Sequence, residues 1–176
     1  MCTNKIDIHT GRHSLAHVLA KAVTELFEDV KLAIGPAIDT GFYYDFDMNH
    51  VITEDDFKNI EKRMLEIINR HENFTKKMIG IDDALKLFKS QPYKLELIEG
   101  LKDKGEDMSV YYLGDDFYDL CRGPHVENTK DLKNWSFKIS NVAGAYWHGT
   151  KKIGCFNVFM FMHIRLKLSL KSILIL

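Results

Sequence analysis

The chain has 176 residues, 45% of them hydrophobic, with 24 Lys and Arg against 25 Asp and Glu and a formal net charge of -1. That length suits about one domain and that apolar content can close a core; the balanced charge excludes an overall basic field, so any RNA contact has to be local or shared with a partner. Cys2, Cys121 and Cys155 are too few and too scattered for a disulfide framework and the N-terminus lacks an apolar signal segment, which together fit a reducing cytoplasm.

Leu15, Val18, Leu19, Ala22, Val23, Leu26 and Phe27 recur at helical spacing and predict a first helix. At about 100° per residue they gather on one side, while His13, His17, Ala20 and Thr24 fall on the other. The two histidines therefore sit one turn apart on a polar strip that faces away from the helix's own apolar stripe. Gly35-Pro36 begins a turn, and residues 41–46 read as an aromatic strand. Thr53-Glu54-Asp55-Asp56 matches a capping box and opens a helix with Phe57, Ile60, Met64, Ile67 and Ile68 on one face. Its other face, with Lys58, Glu61, Lys62, Arg63 and Glu66, reads as solvated surface.

A short helix over about residues 83–90 stops before Pro92, residues 93–98 look strand-like, and residues 102–107 form a polar loop. Residues 110–113 and 117–121 suggest a hairpin around Gly114-Asp115-Asp116, and residues 136–139 and 145–147 add strand candidates. Helices mixed with hairpin-connected strands, without βαβ alternation, predict an α+β fold with an antiparallel sheet. Residues 151–176 change character. Phe156, Val158, Phe159, Met160, Phe161 and Met162 crowd together, and residues 165–171 alternate basic and apolar. A membrane span needs about 18 apolar residues without charges, which His163, Arg165 and Lys167 prevent.

His13 and His17, with Cys121 and His125 flanking Arg122-Gly123-Pro124, make four ligands of the kind zinc accepts. Gly-Pro cannot continue a helix, so the second pair belongs to a tight loop. Three protein ligands leave a catalytic zinc open and four close a structural one, and spacing leaves both readings open. His9, His50, His71, His148 and His163 have no such partners in the sequence.

Arg12-His13-Ser14-x-Ala16-His17, Ala33-Ile34-Gly35-Pro36, Gly41-Phe42-Tyr43-Tyr44-Asp45, Cys121-Arg122-Gly123-Pro124-His125 and Gly144-Ala145-Tyr146-Trp147 follow one another as they do in bacterial threonyl-tRNA synthetases. Over residues 5–149 the chain resembles their editing domain, the second additional domain, which is shared with alanyl-tRNA synthetases and free-standing alanyl editing proteins. Arg-Gly-Pro in the Cys/His loop favours the threonyl branch.

The resemblance implies hydrolysis of serine wrongly esterified to threonine tRNA. It carries over His13, His17, Cys121 and His125 as the editing centre, with Lys94 of Tyr93-Lys94 and Asp119 of Tyr118-Asp119-Leu120 at functional positions. His13 and Lys94 are assigned the chemistry, Asp119 the placement of the serine amine, and Tyr43 and Tyr44 the pocket wall. On spacing alone, Lys94 and Asp119 do not stand out from surface residues. Zinc binds this set in the alanyl relatives; for the threonyl branch its occupancy stays open.

The family continues into a class II catalytic core and an anticodon-binding domain, and no ATP-binding class II motif occurs in this chain, so ligase activity is not expected of it alone. After Gly-Ala-Tyr-Trp the family runs Gly-x-x-x-Asn-Lys/Arg-Met-Leu-Gln-Arg-Ile-Tyr. A coding stretch for Asn-Arg-Met-Leu-Gln-Arg-Ile-Tyr, read one base out of frame, encodes Ile-Gly-Cys-Phe-Asn-Val-Phe-Met, which is residues 153–160 here. Residues 1–149 are thus expected to be the editing domain and residues 150–176 a tail translated out of frame. Threonine tRNA and other fragments of the synthetase are the expected partners, with no membrane. The alternatives are a metal- or tRNA-binding remnant without turnover, a free-standing alanyl-type editing protein, and a decayed product whose apolar tail promotes aggregation.

Overall fold

The computed structural model describes residues 6–145 and the backbone of residues 157–162 and 165–166. Helix α1 (Ile8–Leu26) begins at Asp7, whose carboxylate accepts the Thr10 N–H at 2.9 Å and satisfies one of the donors a helix start leaves free. Four short strands follow, β1 (Lys31–Leu32), β2 (Ala37–Ile38), β3 (Gly41–Phe42) and β4 (Phe46–Asp47). Helix α2 (Glu54–Asn69) starts at the predicted capping box, with the Thr53 N–H donating to Asp56 Oδ2 at 2.9 Å. Strand β5 (Phe74–Ile79), helices α3 (Ile81–Leu87) and α4 (Pro92–Asp103), and strands β6 (Met108–Leu113) and β7 (Phe117–Leu120) come next. Strands β8 (Trp135–Ser136), β9 (Ile139–Ala145), β10 (Asn157–Met162) and β11 (Arg165–Leu166) close the chain order.

The largest sheet, β5-β6-β7, is antiparallel, and β1 with β4, β2 with β3, β9 with β10 and β8 with β11 form antiparallel pairs. The fold is α+β, as the sequence predicts. The β6–β7 turn needs Gly114, whose φ of +67° lies where side chains are disfavoured and whose absent Cβ leaves room for the Glu72 carboxyl beside Lys21. Leu113 and Phe117 pack with α1 and α2, while Val110, Tyr112, Tyr118 and Leu120 pack with Ala84 and Phe88 near α3 and Ile98 of α4. No helix among the described residues is long and apolar enough to cross a membrane.

Several boundaries differ from the sequence expectation. Residues 93–98 lie inside α4, not in a strand: Pro92 takes the first helical position, where its missing N–H costs nothing, and burial of Tyr93, Lys94 and Ile98 fixes the helix face. The polar loop after it shortens accordingly, since α4 runs to Asp103. The aromatic stretch 41–46 divides into β3 and β4 rather than forming one strand. The helix before Pro92 begins at Ile81 and ends at Leu87. Strand β5 has no counterpart in the sequence reading, because only Phe74 is buried and Thr75, Lys76, Lys77 and Met78 are all exposed. The strand expected at 136–139 appears as β8 and β9, and the one expected at 145–147 lies, beyond Ala145, outside the described residues.

The polar strip of α1 faces away from the helix's apolar stripe and is itself largely enclosed: every residue from Ser14 to Val23 is buried, while His13 and Thr24 are partly exposed. A helix enclosed all round is a central helix, and its polar strip has to meet other polar groups.

Candidate functional site

Helix α1 supplies His13, Ser14 and His17, with the two imidazole centroids 5.2 Å apart. Strand β7 supplies Asp119, which stands opposite Tyr111 in the ladder. Just beyond β7, the Cys121 N–H still donates to Ser109 O at 3.1 Å, and the loop then turns His125 back over α1. The His125 ring centre lies 4.2 Å from those of both His13 and His17. Cys121 Sγ is 3.4 Å from His13 Nε2 and 3.3 Å from His125 Nε2, and one donor atom from each of the four residues lies within 4.8 Å of the others.

Gly123 makes the loop possible. Its φ is +77°, and a Cβ there would fall 2.3 Å from the Tyr111 hydroxyl oxygen. Its N–H donates to Cys121 Sγ at 3.2 Å. His125 is held between Phe74, stacked at 4.8 Å, and Tyr111, edge-on at 4.5 Å.

The second half of the site is ionic. Lys94 on α4 and Asp119 on β7 are each 2% exposed, and Lys94 Nζ stands 2.5 Å from Asp119 Oδ1. The Tyr44 hydroxyl donates to Asp119 Oδ2 at 2.5 Å and accepts from Lys94 Nζ at 3.3 Å. His17 Nε2 lies 3.7 Å from Asp119 Oδ2, which joins the ionic half to the histidines. Tyr44 thus enters the site through its hydroxyl, whereas Tyr43 is half-buried and is placed by its backbone N–H on Pro36 O. A cavity of about 470 Å³ opens beside Cys121, walled by Leu97, Leu101, Met108, Leu120 and Arg122.

Burial sets the charge state. It lowers the basicity of His13, His17 and His125, and at His17 the neighbouring His13 and Lys94 act in the same direction. Burial also pushes the Cys121 thiol up to about 11. At neutral pH the cluster is three neutral imidazoles and a thiol beside a closed Lys94–Asp119 ion pair. Neutral imidazole nitrogens are proton acceptors and metal ligands.

All six predicted centre residues, His13, His17, Lys94, Asp119, Cys121 and His125, meet in this one place. Sequence reasoning did not single out Ser14, Phe74 or Tyr111. The sequence marks Ser14 only by its place in the motif around His13 and His17, and the structure buries it fully.

Residues 108–145, from β6 through the Cys/His loop to β9, match the family model of the threonyl and alanyl tRNA synthetase second additional domain. This chain carries that domain. It is 47% identical over 150 residues to the threonine--tRNA ligase of Borreliella burgdorferi (strain ZS7), covering 85% of this chain and 26% of the relative. It is 48% identical over 146 residues to that of Dehalococcoides mccartyi (strain ATCC BAA-2100 / JCM 16839 / KCTC 5957 / BAV1), covering 83% and 24%. The threonine--tRNA ligase of Borrelia hermsii (strain HS1 / DAH) is 49% identical over 145 residues, covering 82% and 24%. The chain therefore spans about a quarter of the length of the curated relatives it matches. Within the second additional domain, the matched segment brings Asp119, Cys121 and His125, and α1 and α4 complete the site from outside it.

Proposed function

We propose that this second additional domain hydrolyses the ester that links serine, mistakenly attached, to the 3′ end of threonine tRNA. The observation that carries the reading is the meeting of His13, His17, Cys121 and His125 with the buried Lys94–Asp119 pair, in a chain nearly half-identical to threonine--tRNA ligases. A synthetic site built for threonine cannot strongly reject serine, because a missing methyl is worth only about 1–3 kcal/mol, so accuracy calls for a second, hydrolytic site.

The Nδ1 of His13 lies 3.2 Å from Pro124 O, an acceptor only, so Nδ1 carries the hydrogen and Nε2 is a bare base. That Nε2 takes a proton from a water whose oxygen attacks the ester carbonyl carbon. Lys94 stabilises the oxyanion, and Asp119 receives the serine ammonium. The carbon–oxygen bond to the ribose then breaks, the proton held by His13 passes to the ribose oxygen, and serine and deacylated tRNA leave.

The donor set suits zinc. His17 Nδ1 is buried with no hydrogen-bond partner among the described residues, as a nitrogen reserved for a ligand would be. Zinc held by His17, Cys121 and His125, with His13 left as the base, would supply a Lewis acid. A set of four donors also suits a closed structural site, which favours a second reading, a tRNA-binding module without turnover.

The test is deacylation of seryl-tRNA(Thr) by the purified chain and by His13→Ala. Turnover that His13→Ala loses supports the hydrolase. Binding of tRNA or metal without turnover supports the second reading, and comparing residues 1–150 with the whole chain shows whether the tail contributes.

A further inference from the structure

Ser14 is fully buried in the middle of α1, between the two histidines. Its Oγ lies 2.8 Å from Thr10 O, 3.0 Å from the Val126 nitrogen and 3.2 Å from His125 Nδ1. A hydroxyl has one hydrogen and two acceptor positions. Thr10 O can only accept, and two oxygens at 2.8 Å with no hydrogen between them repel, so the Ser14 hydrogen points at Thr10 O. The Val126 N–H takes one acceptor position. The other is left for His125 Nδ1, which must then bring its own hydrogen.

We propose that Ser14 is a positioning residue that fixes His125 as the Nδ1–H tautomer, leaving the Nε2 lone pair aimed at Cys121 Sγ. Pro124 O does the same for His13, so two bare Nε2 atoms converge on one sulfur, at 3.4 and 3.3 Å. One thiol hydrogen can satisfy only one of them. The other stays free as a base, or both serve as ligands. A serine here thus acts on the site without touching anything that binds in it. Loss of such an outer partner of a functional histidine typically costs about 10- to 100-fold in activity or metal affinity. The tautomer itself does not depend on the deacylase reading; its catalytic consequence does.

The test is long-range proton–nitrogen NMR of the imidazoles in the full chain at pH 7.5. The wild type should show His125 protonated at Nδ1 and bare at Nε2. Ser14→Ala, which is a good helix residue, should convert His125 largely to the Nε2–H form, and Ser14→Thr, which keeps the hydroxyl, should retain Nδ1–H. In the same preparations, seryl-tRNA(Thr) deacylation should fall about 10- to 100-fold in Ser14→Ala and recover in Ser14→Thr. A wild-type His125 carrying its hydrogen on Nε2 overturns the proposal without any variant, as does an unchanged tautomer in a folded Ser14→Ala protein. Absence of deacylation in the wild type, with the tautomer as described, removes the reading under Proposed function and leaves the role of Ser14 in place.

Discussion

Lys94 and Asp119 come from elements far apart in the chain, a helix start and a strand, and meet at 2.5 Å with both side chains almost wholly buried. Removing one partner of such a pair leaves an uncompensated charge in the interior, at a cost of about 3–5 kcal/mol. Lys94→Met should lose about that much stability by urea unfolding. Lys94→Met combined with Asp119→Leu should recover most of the loss, because an apolar pair of similar volume removes both charges. A Lys94→Met change within about 0.5 kcal/mol of wild type would show that the pair does not hold α4 to β7.

Tyr44 tests the same junction from its neutral side. Tyr44→Phe removes the hydroxyl that donates to Asp119 Oδ2 and accepts from Lys94, with the ring still filling its fully buried place. The expected cost is about 1–3 kcal/mol, as for a buried charged group that loses a hydrogen bond. Because the ring survives, a Tyr44→Phe protein as stable as wild type beside a clearly weakened Tyr44→Leu would assign the contribution of Tyr44 to packing instead.

The legibility of these residues in the sequence was uneven, for physical reasons. Helix α2 was plain, because one face is apolar, the other charged, and the capping box marks its start. Helix α4 was not: Tyr93 and Ile98 suit a strand, and the marks of a helix are Pro92 at the first helical position and the Leu, Lys and Glu residues that follow. Strand β5 shows no alternation, since ladder pairing with β6 and not burial holds it. The histidine cluster could be read from spacing on α1 and from the Cys/His loop. The Lys94–Asp119 pair could not, because nothing local in a sequence says that two charges will be buried together.

Cys121 should be a slow nucleophile. With its thiol pushed up to about 11 by burial, little thiolate exists at pH 8. In EDTA-treated protein, iodoacetamide should modify Cys121 on the order of a hundredfold more slowly than it modifies a cysteine in a model peptide, as read by peptide mass mapping. Modification at the rate of the model peptide would mean that the thiolate is stabilised, contrary to the neutral cluster described above.

The origin of residues 153–160 can be checked in DNA. Backbone pairing of β10 with β9 needs only hydrogen bonds that any sequence can make, so it neither requires nor excludes a selected tail. If the segment is an out-of-frame reading, codons 148–160 should contain Asn-Arg-Met-Leu-Gln-Arg-Ile-Tyr intact in another frame. A coding stretch without that linker in any frame sinks the idea.

The pH dependence of stability has two opposing parts. For His13, His17 and His125 the folded-state basicity is lowered from 6.5, so as pH falls below that value the unfolded chain takes up protons that the folded chain does not. Stability therefore falls with falling pH, by up to about 1.4 kcal/mol per pH unit for each histidine. Asp45 acts the other way. Its carboxyl is raised by burial from 3.8 to about 7, and Oδ1 has no hydrogen-bond partner among the described residues, so the folded chain holds a proton that the unfolded chain has lost, and stability drops as pH rises through this window. Between about pH 5 and 6.5 the wild type should show the difference between the two. Asp45→Asn removes the opposing part, so its urea-unfolding stability should rise more steeply with pH than that of the wild type, by up to about 1.4 kcal/mol per unit. Parallel curves for the two proteins would mean that Asp45 does not hold a proton in the fold.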